Sequence, residues 1–375
     1  MPRPIRAIIH QDALAHNLKI ARKYAPQHDV FAVVKANAYG HGIERVYSSL
    51  KTADGFALLD IDEAKRLRAL GWTGPILLLE GIFSAQDLFD CAVFQLSFSI
   101  HSEAQLNWLL QHPEPAQFDI FLKMNSGMNR LGFQPEHYPE VWRALHSCTA
   151  VKSLTHMMHF SDADGERLGQ AGIDVQLKTF EDTVRDLPGE RSVCNSAAIL
   201  RHCTQLTSKT VRAGILLYGS SPDFPKHSIQ DWNLQPSMSL RSEIIAIQDL
   251  QPKQTVGYGS TFQADQAMKI GIVACGYADG YQRSSATGTP VLVNGIRTRT
   301  IGRVSMDMLA VDITEIKNVE IGSEVVLWGK SRSGAILAID EVAAMSDTIG
   351  YELMCGVTAR VPFFIETEGY DHVSI

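Results

Sequence analysis

The chain has 375 residues, with 34 Lys and Arg against 41 Asp and Glu, giving a formal charge of −7. Its length predicts about two to three domains with room for a large core, and a negative charge with no basic block to offset it excludes a general nucleic-acid binder. At 45% apolar and 20% charged residues the balance is that of a globular protein. The opening stretch MPRPIRAIIHQDALAHNL has no apolar core long enough for a signal peptide. No run approaches the roughly 20 apolar residues of a membrane span, so a cytoplasmic protein without a membrane partner is expected. The cysteines at 91, 148, 194, 203, 275 and 355 are scattered, with no CxxC pair, and read as reduced thiols.

In chain order, RAIIH (Arg6 to His10) is a short strand, free to join either domain. Asp29–Ala36 follows as a buried strand that runs into Lys35, and Asn37, Gly40, His41 and Gly42 read as a loop. Further β-rich apolar runs are Gly55–Leu59, Pro75–Glu80, Phe94–Ser99, Phe118–Met124, Val151–Met157, Arg191–Cys194 and Thr210–Ala213. Helical patterns lie between them. Asp60 to Leu70 has an acidic start and Gly71 as its stop; Ser102 to Gln111 opens on Ser102 and Glu103; Glu166 to Leu187 ends at Pro188–Gly189. Eight strands, each followed by a helix or helix-like turn, match a (β/α)8 TIM-like barrel; an open doubly wound sheet is the alternative, weakened by the lack of G-x-G-x-x-G after the first strand. The stretch SSPDFPKHSIQDWNLQPS, starting near Ser221, breaks the pattern, and the remainder is β-branched with turns such as Val293-Asn294-Gly295. The expected class is therefore α/β, a barrel over 10–230 followed by a smaller, mainly-β domain over 231–375, with the strand in 1–9 able to pack on the latter. In HMMH, His156 and His159 would face opposite ways on a strand, so no shared metal is expected and His156 reads as a core residue.

Barrels of this kind carry their chemistry at the C-terminal ends of the strands. Just beyond those ends lie Lys35 and Tyr39, Arg130, His159, Asn195 and Ser196, and Arg212 with Gly214 and Ile215. Taken singly, Lys35 is an ordinary strand end, Arg130 a surface charge and His159 a core imidazole. Together they put an amine, an imidazole, guanidiniums and a hydroxyl at one mouth. The loops after strands seven and eight suit a phosphate, with Ser196 opening a helix-like run and Gly214 allowing close backbone approach. A lysine facing a phosphate site suggests pyridoxal phosphate (pyridoxal 5'-phosphate) held as a Schiff base. The amine, ordinarily near ~10.4, must lose its proton to react, which the two arginines would favour.

VVKANAYGHG resembles the cofactor-lysine motif of the alanine racemases, the fold-type III pyridoxal phosphate enzymes. KMNSGMNRLGF, HFSDAD, NSAA, VRAGILLYG, VGYGSTF, GYADGY, GRVSMDM and YELMCGVTARVP follow in family order, covering essentially the whole chain. The resemblance implies interconversion of L- and D-alanine by two bases, Lys35 on one face and Tyr258 on the other. Tyr258 would reach the cofactor of a partner subunit, so a homodimer with shared sites is implied. Tyr39, Ser196, Gly214, Ile215 and Tyr351 would hold the phosphate, and Arg212, backed by His159, the pyridine nitrogen. Arg130 would meet the phenolic oxygen and the substrate carboxylate, and Met306 would offer its N–H to that carboxylate. Asp164, Tyr277, Arg283, Arg303 and Asp307 would line the substrate's approach. Lys123 matches a lysine that some relatives carbamylate, and Asn125 departs from the aspartate of many relatives. The role would be D-alanine supply for peptidoglycan, or alanine degradation. A racemase of broader range, a non-enzymatic pyridoxal phosphate-binding protein and a decarboxylase are the alternatives. The binding protein would lack the β-rich domain and the second base, and the decarboxylase would lack the Tyr258 motif.

Overall fold

The computed structural model of the chain describes residues 3–112, 116–167, 169–367 and 370–373. Two compact units form, one of 15–38 and 46–217, the other of 1–14, 39–45 and 218–375.

The first unit is an eight-stranded parallel sheet in the order Thr210–Ala213, Asp29–Val33, Gly55–Leu58, Ile76–Leu78, Ser97–Ile100, Phe118–Lys123, Val151–Met157, Glu190–Ser192. Lys209 N–H donates to Arg191 O (2.7 Å) and Arg212 N–H to Cys194 O (3.0 Å), joining the end strands and closing the ring. Strands such as Gly55–Leu58 and Ile76–Leu78 are buried along their whole length, as a filled barrel wrapped by helices requires. Asp60 caps the helix Ile61–Ala69 by accepting Asp62 N–H (2.8 Å), and Gly71 beyond it takes φ +91°. Ser102 caps Glu103–Leu110. The long helix expected from Glu166 forms only over Asp174–Val184. Ahead of it, Glu166–Arg167 and Gln170–Ala171 pair as a hairpin, with Gly169 at φ +77°. A Cβ on Gly172 would lie 1.8 Å from Asp162 O, so this segment is packed too tightly for a helix with side chains. His156 is a core residue, bonded to Tyr138 Oη (2.9 Å) and Leu187 O (3.0 Å).

The second unit is a closed antiparallel ring of six strands. Met238–Leu250 pairs at its start with Glu324–Lys330 and further along with Met268–Val273, so one long strand serves both ends of the ring. Pro290–Val293, Ile296–Ile301 and Leu309–Asp312 complete it. The hairpin Val293-Asn294-Gly295 is present, with Asn294 at φ +50° and Gly295 at φ +78°. Arg6–Ile9 lies beside Met238–Leu250 and Phe363–Thr367 in the same sheet. Buried Trp328 and Tyr281 stack in the interior at 6.3 Å between centroids. Among the described residues no helix is long and apolar enough to cross a membrane.

Candidate active site

In the barrel, the chain leaves the first strand in an unusual conformation. Ala36, Asn37, Ala38 and Tyr39 all have φ between +51° and +55°, a left-handed turn made without glycine. Such a conformation costs about 1–2 kcal/mol per residue, so it must be held. Ala38 N–H donates to Val34 O (2.8 Å), Asn37 N–H to Glu63 Oε1 (2.6 Å), and Arg66 to Asn37 Oδ1 (2.8 Å). Burial raises the Glu63 carboxyl above its ordinary range, partly offset by the Asn37 N–H. The half-buried Lys35 heads this turn. Nothing in the sequence pattern singled out Glu63 or Arg66, which lie on an ordinary-looking amphipathic helix.

Around the same mouth, cations crowd together. Arg212 is 3% exposed and fixed by donating to Ser192 O and Oγ (both 2.7 Å) and Met158 O (2.8 Å). Burial lowers it to about 10. Arg212 Nη2 also lies 3.4 Å from His159 Nδ1, which is therefore the imidazole's acceptor. Loss of solvent, with Arg212, Lys123, Arg130 and Lys35 nearby, pushes His159 well below its ordinary value and keeps it neutral. Lys123, 6% exposed at the end of Phe118–Lys123, is lowered to about 8 by burial and then by Arg212 and Arg130, with Glu80 opposing. Arg130 is exposed, on a loop tied by Asn125: its Oδ1 accepts Gly127 N–H (3.2 Å) and Asn129 N–H (2.9 Å), and its amide donates to Asn129 Oδ1 (3.1 Å). An aspartate here could not make that last donation. Asp164 is exposed on the loop before the Glu166–Arg167 hairpin.

Ser196, at the start of the helix Ser196–His202, accepts Gly214 N–H (2.9 Å) and Leu216 N–H (3.4 Å) on Oγ, bringing the seventh and eighth loops together, with Ile215 between the two donors. Asn195 caps this helix through Ala198 N–H (3.0 Å). The barrel thus offers an amine, a hydroxyl beside glycine backbone, a guanidinium that cannot accept a proton, and a strongly positive mouth. This donor set fits an anionic aldehyde cofactor, and pyridoxal phosphate is such a group.

The other unit carries its own set. Tyr39 is buried, stacked on Tyr218 (4.5 Å, 28°) and tilted against Tyr351 (5.9 Å, 49°), and burial followed by the Cys355 thiol raises its phenol far above the ordinary value. Tyr258 sits 72% exposed on a tight turn between Gly257 (φ +70°) and Gly259 (φ +74°). A Cβ on Gly259 would lie 2.9 Å from the exposed Arg303 guanidinium, which ties Arg303 to the Tyr258 turn. Tyr277 and Met306 come together through Tyr277 N–H to Ser305 O and Ala278 N–H to Met306 O (both 3.0 Å), with Asp307 next in chain. Arg283 is exposed on the segment after the Tyr277 turn.

Comparison with known proteins agrees across both units. The family model "Alanine racemase, N-terminal domain" matches residues 9–222, and "Alanine racemase, C-terminal domain" matches 237–365. The chain is 69% identical over 363 residues to an alanine racemase of Acinetobacter baumannii (strain SDF), covering 97% of this chain and 99% of that one. It is 57% identical over 368 residues to an alanine racemase of Acidovorax ebreus (strain TPSY), covering 98% and 100%. The solved biosynthetic alanine racemase from Pseudomonas aeruginosa superposes with a TM-score of 0.91 at 41% identity, over 97% of this chain and 100% of that one. With both of its units matched in order and near-complete relatives on either measure, the chain belongs to the alanine racemase family.

Proposed function

We propose that the chain interconverts L- and D-alanine with pyridoxal phosphate, on which the family depends, at the mouth of a barrel spanning 10–230, assisted by a β-rich domain spanning 231–375. The observation that carries this reading is Lys35 on a held left-handed turn, facing a mouth with Lys123, Arg130 and Arg212 and a neutral His159. The cofactor, when bound, withdraws electrons from the amino acid's α-carbon and makes its proton removable. Lys35 Nζ takes or returns that proton on one face, and Tyr258 Oη does so on the other. Free lysine and tyrosine both titrate near ~10, so neither direction is favoured. Arg212 would hold the cofactor's pyridine nitrogen, supported by His159. Ser196, Gly214 and Ile215 would hold the phosphate, to which the resemblance adds Tyr39 and Tyr351. Arg130 and the Met306 N–H orient the carboxylate, and Lys123 is the position at which a carbamate, once formed, would brace Arg130. Asp164, Tyr277, Arg283, Arg303 and Asp307 line the approach.

A base left 72% exposed in one chain needs a second surface to exclude water. We assign that surface to a second copy, making a cytoplasmic homodimer in which each Tyr258 serves its partner's barrel. The activity supplies D-alanine for peptidoglycan, or serves the degradation of alanine. The test is incubation with L-alanine and cofactor in heavy water, followed by chiral separation and mass detection. D-alanine carrying α-deuterium is expected. Deuterium without D-alanine would remove Tyr258 from its role, and the absence of both signals would overturn the reading. Mixing Lys35→Ala and Tyr258→Phe chains should restore activity that neither has alone, because one of two shared sites is then intact.

A further inference from the structure

In the β-rich unit, three segments meet around one carboxylate that the mechanism above does not use. Asp279 is fully buried. Its Oδ2 accepts Gly276 N–H and Arg3 Nη2 (both 2.9 Å), and its Oδ1 lies 2.8 Å from Arg360 Nε. Arg360 continues to Asp307 Oδ1 (2.7 Å), and Arg3 donates to Asp307 O (2.9 Å). Two guanidiniums therefore bridge the turn that carries Tyr277 to the residue that follows Met306. Bonds from Thr358 to main-chain carbonyls reinforce the bridge. Thr358 N–H donates to Asp279 O (3.2 Å) and Thr358 Oγ1 to Ala278 O (2.8 Å). Glycines permit the approach: a Cβ on Gly276 would lie 2.4 Å from Met306 O, and one on Gly280 2.2 Å from Gly356 O.

Met306 and Tyr277 are 53% and 39% exposed, so packing around their side chains does little to fix them. Their position is set by the backbone, and the backbone is set by this cluster. We propose that Asp279, bridged by Arg360 and Arg3, is a positioning residue that fixes the reach of the Met306 N–H and Tyr277 toward the amino-acid carboxylate. It governs substrate affinity and leaves proton transfer alone. The inference rests on the reading of Met306 as a carboxylate contact.

The test compares Arg360→Met and Arg360→Lys with the wild type as full-length holoenzymes. Losing the Arg360 bridge between Asp279 and Asp307 in Arg360→Met, with the Arg3 bridge left in place, should raise KM for both alanine enantiomers by about tenfold while kcat stays within about threefold, because misplacement weakens orientation without removing a base. Arg360→Lys can reach one carboxylate at a time and should recover part of the KM. Hydrogen exchange on the same proteins should quicken at 276–280 and 305–308 and stay unchanged in the barrel strands. An unchanged KM, a fall in kcat at constant KM, or faster exchange throughout the chain would each overturn the proposal. If Arg360→Met does not fold, Arg360→Lys carries the same comparison at smaller amplitude. A wild type that fails to racemise alanine would reject the proposed function, and the exchange pattern would still decide whether the cluster fixes these turns.

Discussion

Replacing Lys123 with Met should make the protein more stable at neutral pH. Lys123 is buried among Arg212, Arg130 and Lys35, and its amine is lowered to about 8. Against an ordinary lysine near ~10.4, that difference corresponds to about 3 kcal/mol of stability lost wherever the folded amine is made to carry its proton. The sign follows from proton binding. Between about 8 and ~10.4 the unfolded chain binds the proton and the folded chain does not, so stability rises with pH across that window and the full penalty applies below it. Met keeps the length of the side chain and removes the charge. In buffer freed of carbon dioxide, urea unfolding at pH 7 should show Lys123→Met more stable by up to about 3 kcal/mol, with the gap closing by about pH 10. The same lowering leaves about a quarter of Lys123 neutral at pH 7.5, against about one part in a thousand for free lysine, so the amine is primed for carbon dioxide. Added bicarbonate should stabilise the wild type, which gains an anion beside its arginines, and leave Lys123→Met unchanged; an intact-mass increment of one carbon dioxide would report the adduct. A Lys123→Met variant less stable than the wild type at pH 7, or a wild type whose stability does not rise between pH 8 and 10, would refute this reasoning.

Ala36→Gly removes the left-handed penalty of an exposed position and should stabilise the fold by about 1 kcal/mol, read from the urea midpoint, while slowing racemisation because Lys35 loses its rigid base. Glu366 is held down to about 2, chiefly by His10 at 2.5 Å. Its contribution is complete above an ordinary glutamate's value and lost as pH falls toward about 2, so Glu366→Gln should be less stable than the wild type at pH 6 and equal to it near pH 2 in acid unfolding curves. Arg212→Glu would set a carboxylate against Ser192 O and Met158 O, both acceptors. It should lose about 2–4 kcal/mol of stability and, where it folds, form more keto acid from alanine than the wild type, since a carboxylate can favour a protonated ring nitrogen.

The eight barrel strands were legible because each is a short apolar run between breakers, and their order around the ring follows from right-handed βα connection. The strand-end residues Lys35, His159, Ser196 and Arg212 could be found for the same reason. The helix at Glu166 could not be bounded, because its apolar periodicity extends across Gly172, whose close backbone contacts appear only in three dimensions. The turn at Ala36–Tyr39 was legible only in part: Asn37 marks a loop, but Ala36, Ala38 and Tyr39 carry no signal for positive φ, and what holds the turn, Glu63 and Arg66, belongs to a different βα unit. The partners of Arg212 escaped notice because they are main-chain carbonyls and a serine, which sequence does not mark. Asp279 sits in GYADGY as an unremarked acid, since its partners Arg3 and Arg360 lie at opposite ends of the chain.

The pairing of Arg6 with Arg241 ties the order of synthesis to the order of folding. Arg6 leaves the ribosome 235 residues ahead of its partner (241 − 6), a wait on the order of ten to fifty seconds at ~5–20 residues per second. During that interval the parallel ring of 15–38 and 46–217 becomes complete in sequence, whereas Arg6–Ile9 still lacks both of its strand partners, Met238–Leu250 and Phe363–Thr367. The nascent chain therefore displays the apolar strand RAII with both edges open. A chaperone that holds short extended segments would find its target there, and an N-terminal fusion would burden assembly of the β-rich unit while sparing the barrel.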